Sequence, residues 1–184
     1  MFEKIKGDYI RHDRSVLDPG FISLCIYRYG RWTIGLRNPA ARWVSSKFYG
    51  LMRHTILNVT KVAIPPQVQI GEDFHIIHAG MQLIHPDAVI GDRCGIMHNV
   101  TIGTNMRPGA PVIGDDVFIG ANSSVLGRIR IGDRVRIGAN TLVTTNVPPD
   151  SLVVGSPGRI YSRPLAMRRA QREEKVEQAG KADA

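Results

Sequence analysis

The sequence predicts a mainly β fold: a parallel β-helix with three short strands per coil, preceded by helices. Three observations carry this. An aliphatic residue recurs every six positions from Ile64 onward; the positions between are patterned as well; and residues 1–60 lack the period. The aliphatic series is Ile64, Ile70, Ile76, Ile84, Ile90, Ile96, Ile102, Ile113, Ile119, Val125, Ile131, Ile137 and Val143. The phase breaks twice, by two extra residues before Ile84 and by five before Ile113. Antiparallel sandwich strands do not repeat at a fixed six over such a length, whereas a three-sided coil of eighteen residues does.

The rest of the hexad supports the same reading. Glycine follows the aliphatic residue at Gly71, Gly91, Gly103, Gly114, Gly120, Gly132 and Gly138. Three positions after it stand Asp73, Asp87, Asn99, Asn105, Asp116, Asn122, Asn140 and Asn146, residue types that tolerate the left-handed backbone a corner requires. Four positions after it come small or apolar residues such as Val68, Ala88, Cys94, Val100, Val117, Ser123 and Thr141. Each hexad therefore offers two inward positions, one turn and one short strand.

Before the repeat, Phe21 to Leu36 and Ala41 to Val59 carry apolar residues at helical spacing, with a break at Asn38-Pro39. These helices are expected to cap the open N-terminal end of the solenoid, which otherwise exposes strand edges. After the repeat, a run with Arg168, Arg169, Arg172, Glu173, Glu174 and Lys175 reads as an exposed helix fraying into a tail. The expected division is thus a helical cap over 1–60, the β-helix over 61–161 and a charged tail over 162–184.

The net charge of +8 suits an anionic partner such as a phosphorylated cofactor. The charge is spread along the chain, with no arginine-rich run interleaved with aromatics, so nucleic acid is not expected. The stretch Lys47 to His54 is basic and aromatic. A solvated helix face is its simpler reading and peripheral contact with a membrane surface the other. No run approaches the length of a membrane span. Cys25 and Cys94 form no CxxC pair and read as core thiols, and a cytoplasmic location is expected.

Rotating the hexads over three sides puts Ile76, Ile96, Ile119 and Ile137 on one side of successive coils. Two residues beyond each stand His78, His98, Ala121 and Ala139. Adjacent strands lie about 4.8 Å apart. The two imidazoles are therefore expected as neighbours, continued by a slot of small residues that suits a slender ligand beside a base. Surface histidines stacked by chance are the plainer alternative. His12, His54, His75 and His85 fall outside the column and read as structural or solvated, although His85 follows the first insertion and is positioned to line a neighbouring subunit's site. A zinc site would need three ligands, and only His78, His98 and His85 offer themselves; no metal is expected. The second insertion, within Thr104 to Pro111, carries Arg107 as its single charge, a candidate for an anionic substrate group.

From Ile64 to Ile160 the chain resembles the hexapeptide-repeat acetyltransferases, above all the serine acetyltransferase group. The matching stretches are Ile76-Ile-His-Ala-Gly80, Asn99-Val-Thr-Ile-Gly103, Val112 to Asn122, and Val147 to Ile160; Tyr27 to Trp32 resembles the helix before that family's β-helix. The resemblance implies a left-handed β-helix, a homotrimer with sites between subunits, and acetyl-CoA as co-substrate. His78 matches the family's catalytic histidine, the general base that takes a proton from an acceptor hydroxyl. The backbone near Gly120, Ala121, Gly138 and Ala139 resembles the pantetheine groove, and Arg159 is a candidate partner of the cofactor's phosphates.

The chain also departs from that pattern. The carboxylate that orients the family histidine falls at Ala63, a second acidic site residue falls at Ile77, and the loop's Arg-His pair is not reproduced near Gly109-Ala110. The chain ends in Ala184 rather than the isoleucine that docks into cysteine synthase, so no stable complex with that enzyme is expected. Short acetyltransferases of exopolysaccharide clusters, such as colanic acid, resemble this chain in length and in a histidine at the His98 position. Serine is the expected acceptor, a sugar hydroxyl in polysaccharide biosynthesis the alternative, and a non-catalytic trimeric scaffold a reading from another class.

Overall fold

Helix formation follows the chain's own punctuation. In the computed structural model, which describes residues 2–162, three helices precede the strands: α1 (Phe2–Arg11), α2 (Pro19–Ile34) and α3 (Pro39–Thr60). Asp18 caps α2 by accepting from the N–H of Phe21 at 2.8 Å. Asn38 caps α3 by accepting from the N–H groups of Ala40 and Ala41. In both, proline occupies the first turn, where no N–H is needed. The expected break at Asn38-Pro39 is thus a cap. The first helix, α1, is not among the expected segments; of its side chains only Asp8 is buried.

The solenoid has three parallel faces. The first holds β1 (Gln69–Ile70), β4 (Val89–Ile90), β7 (Val112–Ile113) and β10 (Arg130–Ile131). The second holds β2 (His75–Ile76), β5 (Gly95–Ile96), β8 (Phe118–Ile119), β11 (Arg136–Ile137) and β13 (Ser151–Val154), closed by the antiparallel β14 (Arg159–Ser162). The third holds β3 (Leu83–Ile84), β6 (Thr101–Gly103), β9 (Ser124–Leu126) and β12 (Leu142–Val143). All thirteen aliphatic positions of the hexad are buried, and so are the positions four residues on except at the two insertions, where Gly80 is half-buried and Met106 exposed. The core is therefore one continuous column of Ile and Val along the coil axis.

The corner expectation needs correction. Asp73, Asn99, Asp116, Asn122 and Asn140 take left-handed angles as expected, but Asp87, Asn105 and Asn146 do not. Those three follow strands of the third face, where the chain turns differently: His85 accepts from the N–H of Ala88 at 3.0 Å, and the Asn146 side chain accepts from the N–H of Arg130 at 2.8 Å. Arg93 and Arg134 adopt left-handed angles where the pattern shows no Asp or Asn. Each offsets that cost with a bidentate pair to the next coil's corner, Arg93 to Asp116 and Arg134 to Asp150. Close coil stacking also demands glycine: a Cβ at Gly91 would lie 2.7 Å from the backbone of Gly114.

The helices pack on the first coil through Leu24 and Tyr27, which join its hydrophobic core, and through polar groups. The Tyr27 hydroxyl donates to the Val68 carbonyl and accepts from the N–H of Ile70. Arg28 donates to Asp8 and to the carbonyls of Ile70 and Gly71. Asp8 in turn accepts from the N–H of Phe74 at 3.0 Å. Cys94 is a core thiol as expected and donates to the Gly114 carbonyl, whereas Cys25 is half-buried on α2. Burial pushes both thiols up to about 11. The expected tail helix lies outside the described residues.

Candidate functional site

The site grows from one corner. β2 ends at Ile76, whose successor Ile77 donates to the Ile96 carbonyl at 2.8 Å, and the chain then leaves the ladder for the two-residue insertion. His78 sits at the start of this turn with φ 60° and an exposed side chain. The register Ile76–Ile96, Ile96–Ile119 and Ile119–Ile137 brings His78, His98, Ala121 and Ala139 into one column, as the spacing predicts. The two imidazole rings have centroids 6.3 Å apart and are tilted by 47°, neighbours without being stacked. Ala121 is buried and Ala139 exposed.

Above Ala139 the pairing Ile137–Val153 makes Gly155 the next step of the column. The hairpin that follows is pinned by the Gly158 N–H donating to the Leu142 carbonyl at 2.7 Å. Arg159 begins β14 opposite Val154 and is exposed, at the far end of the column from His78. The wall between them admits no bulk: a Cβ at Gly120 would lie 2.6 Å from the Ala139 nitrogen, and one at Gly138 would lie 2.9 Å from the Val154 side chain. His98, a line of alanine and glycine backbone, and a terminal cation form a narrow track leading away from His78.

What orients the His78 loop is a residue the sequence reading did not single out. Gln82 is fully buried, at 0% exposure. Leu83 pairs with Thr101, so Gln82 occupies the inward slot that Val100, Ser123 and Thr141 fill in the coils above. Its Oε1 accepts from the Gly80 N–H at 2.8 Å, while its Nε2 donates to the His78 carbonyl at 3.0 Å and to the Met97 carbonyl at 3.2 Å. One amide therefore ties the turn carrying His78 to the residue preceding His98. A polar residue at an inward hexad position beside an insertion was the available signal. Ser123 and Thr141 serve the same column from inside, donating to the carbonyls of Gly138 and Ala139. Replacing Gln82 with leucine removes three hydrogen bonds while keeping the volume. The fold is expected to survive, and any activity that depends on His78 to fall on the order of 10-fold, since a loosened turn misplaces the imidazole. Steady-state kinetics with a thermal melt checks this: unchanged turnover in the folded variant would exclude the positioning role.

His12 braces the same strand from behind. Its Nδ1 donates to the Asp8 carbonyl, and its Nε2 accepts from the Ile76 N–H at 3.2 Å. His75 meets the His12 ring edge-on at 4.6 Å. Burial, aided by His12 and Arg11, holds His75 down at about 4 from its ordinary 6.5. Because the unfolded chain protonates His75 at the ordinary value and the folded chain does not, stability is full above about pH 6.5 and declines as the pH falls toward 4. The ring is only half-buried, so solvent screening leaves roughly 1–2 kcal/mol of this effect. Thermal melts from pH 7 to 4 are expected to show a decline that His75→Gln flattens; an equal decline in the variant would remove His75 as its source.

Not every candidate joins the column. His85 accepts from the Asp87 N–H and stands, with the exposed Arg107 of the 104–111 loop, at the corner between the third and first faces. The column stands at the corner between the second and third. One chain alone therefore separates His85 and Arg107 from His78, and His78, His98 and His85 do not converge; among the described residues no group of three His, Cys, Asp or Glu side chains does. His54 is exposed on α3, within reach of Asn58. A cleft of about 550 Å³ between α2 and the first face, lined by Arg28, Arg31, Trp32 and Asp92, does not include His78. Ala63, where the resemblance expects a carboxylate, only bridges Leu83 through its backbone.

Comparisons with known proteins bear on the fold that carries this column. Residues 110–145 match the family model described as bacterial transferase hexapeptide (six repeats). The chain is 36% identical over 148 residues to the serine acetyltransferase of Synechococcus elongatus, covering 79% of this chain and 58% of that protein. Among solved structures, serine acetyltransferase of Neisseria gonorrhoeae superposes with a TM-score of 0.72 at 29% identity, over 89% of this chain and 64% of the other. The Brucella abortus serine acetyltransferase in complex with coenzyme A superposes with a TM-score of 0.72 at 25% identity, over 88% and 66%. The chain thus spans roughly three fifths of the length of the Synechococcus relative. By its register, its matched repeats and these likenesses, this chain is a hexapeptide-repeat β-helix protein similar to the serine acetyltransferases.

Proposed function

We propose that the protein is an acetyl-CoA-dependent O-acetyltransferase with His78 as general base. The observation that carries this reading is the single column running from His78 past His98 to the alanine and glycine backbone and ending at Arg159. In the proposed reaction the imidazole takes the proton of an acceptor hydroxyl. The freed oxygen attacks the thioester carbonyl, the C–S bond breaks, and the imidazolium returns its proton to the departing thiolate. Pantetheine lies along Gly120, Ala121, Gly138 and Ala139, with Arg159 toward the phosphates. The likeness to a relative solved with coenzyme A supports that assignment. A homotrimer, in which His85 and Arg107 of a neighbouring chain approach the column, supplies the acceptor side that one chain lacks.

L-serine is the acceptor this reading favours, because the relatives named above are serine acetyltransferases. A sugar hydroxyl is the second reading, favoured by one observation: the positions where carboxylates are expected to help hold serine are apolar here, Ala63 and Ile77. A thiol-release assay with acetyl-CoA against L-serine and a panel of sugars separates them. Release dependent on serine supports the first reading and release dependent on a sugar the second. Failure to bind acetyl-CoA would leave the non-catalytic scaffold.

A further inference from the structure

The helix α3 turns its apolar stripe outward. Tyr49 and Thr60 contact α2 and, with Met52, Ile56 and Leu57, are partly or fully covered, whereas Trp43, Val44, Leu51 and Val59 stand 60–75% exposed on the other side and Phe48, 54% exposed, borders them. The spacing of these five puts them on one face of the helix. Trp32 and Ile34 at the end of α2 are exposed as well, and Tyr29 links the two helices by stacking near both Trp32 and Phe48. An apolar patch of this kind on a helix is not an ordinary solvated face.

Charge identifies the occupant. From Pro19 to Gly71 the chain contains no Asp or Glu and seven Lys or Arg. Arg28 is consumed by Asp8, but Arg31, Arg37, Arg42, Lys47 and Lys61 are exposed, and among the described residues no carboxylate pairs with them. Lys47 lies over the Trp43 ring at 5.7 Å, so cation and aromatic share the outward face. A second copy docked face to face would set these cations against their own kind. An anionic bilayer matches both features at once: headgroups meet the cations while Trp43, Phe48 and Leu51 enter the boundary beneath them. No described helix is long and apolar enough to cross a membrane, which fits a helix that lies on the surface. We infer that α3 is a peripheral docking surface for anionic phospholipid bilayers. This stands apart from the acetyl-transfer reading, since nothing in it uses His78.

The test is flotation of the full chain with vesicles of phosphatidylcholine alone, or with about a third phosphatidylglycerol. Binding is expected to the mixed vesicles, weakly or not at all to the neutral ones, and to fall on the order of 10-fold when salt is raised from about 0.1 M to 0.5 M. Two exposed-site variants divide the contributions: Lys47→Glu reverses the charge on the outward face, and Trp43→Ala with Leu51→Ala removes the wedge. Each variant is expected to lower partition about 10-fold or more while leaving the melting curve and sedimentation mass unchanged. No flotation with the mixed vesicles, or equal binding to neutral ones, would overturn the proposal. A fall in sedimentation mass in the Trp43/Leu51 variant would overturn it as well, and would assign the face to a second copy of the chain.

Discussion

His78→Ala is expected to lower acetyl-CoA-dependent thiol release by roughly 10²–10⁴, the range that a positioned general base supplies. The argument rests on access as much as on chemistry. His78 is exposed at the open start of the track, whereas His98 lies half-covered one coil above it, and the two rings are neighbours at 6.3 Å. The His78 side chain is exposed, so its truncation is expected to leave the melting temperature nearly unchanged. The loss therefore reads directly as lost chemistry, with substrate binding followed separately through KM. His98→Ala is the informative partner. A larger loss there than at His78 would move the base one coil upward and make His78 the supporting group.

Asp8→Ala is expected to cost about 3–5 kcal/mol of stability. Asp8 and Arg28 are 1% and 4% exposed, and their closest contact is 2.9 Å. Truncating Asp8 strands a buried guanidinium and leaves the Phe74 N–H without its acceptor. Removing both charges, as Asp8→Ala with Arg28→Met, is expected to cost less than Asp8→Ala alone, because the unpaired buried charge is the dominant penalty. Urea unfolding at matched protein concentration measures both. A loss under about 1 kcal/mol for Asp8→Ala would show that water reaches Arg28 and that the helices are not locked to the first coil.

The track is the part of the site that could be read in advance. A stacked solenoid sends residues separated by whole coils to the same place, so counting from Ile76, Ile96, Ile119 and Ile137 was enough to align His78, His98, Ala121 and Ala139. Gln82 escaped because the insertion shifts it into an inward slot that unbroken counting assigns to Gly80. His12 and Asp8 escaped for a different reason. Their partners Ile76, Phe74 and Arg28 lie in other elements, and no local pattern joins them.

By itself, then, the sequence determined the coil, its register and the identity of the column, because a six-residue alternation of inward and outward positions is local chemistry repeated under one parallel pairing. Only the tertiary structure decided which corners turn left-handed, since an Asn or Asp permits that conformation without requiring it. It alone decided that a buried amide holds the His78 turn and that a buried ion pair seats the helices, both being contacts between distant segments. It also decided that the apolar stripe of α3 faces outward: helical spacing reveals that a stripe exists, and packing alone settles whether anything covers it.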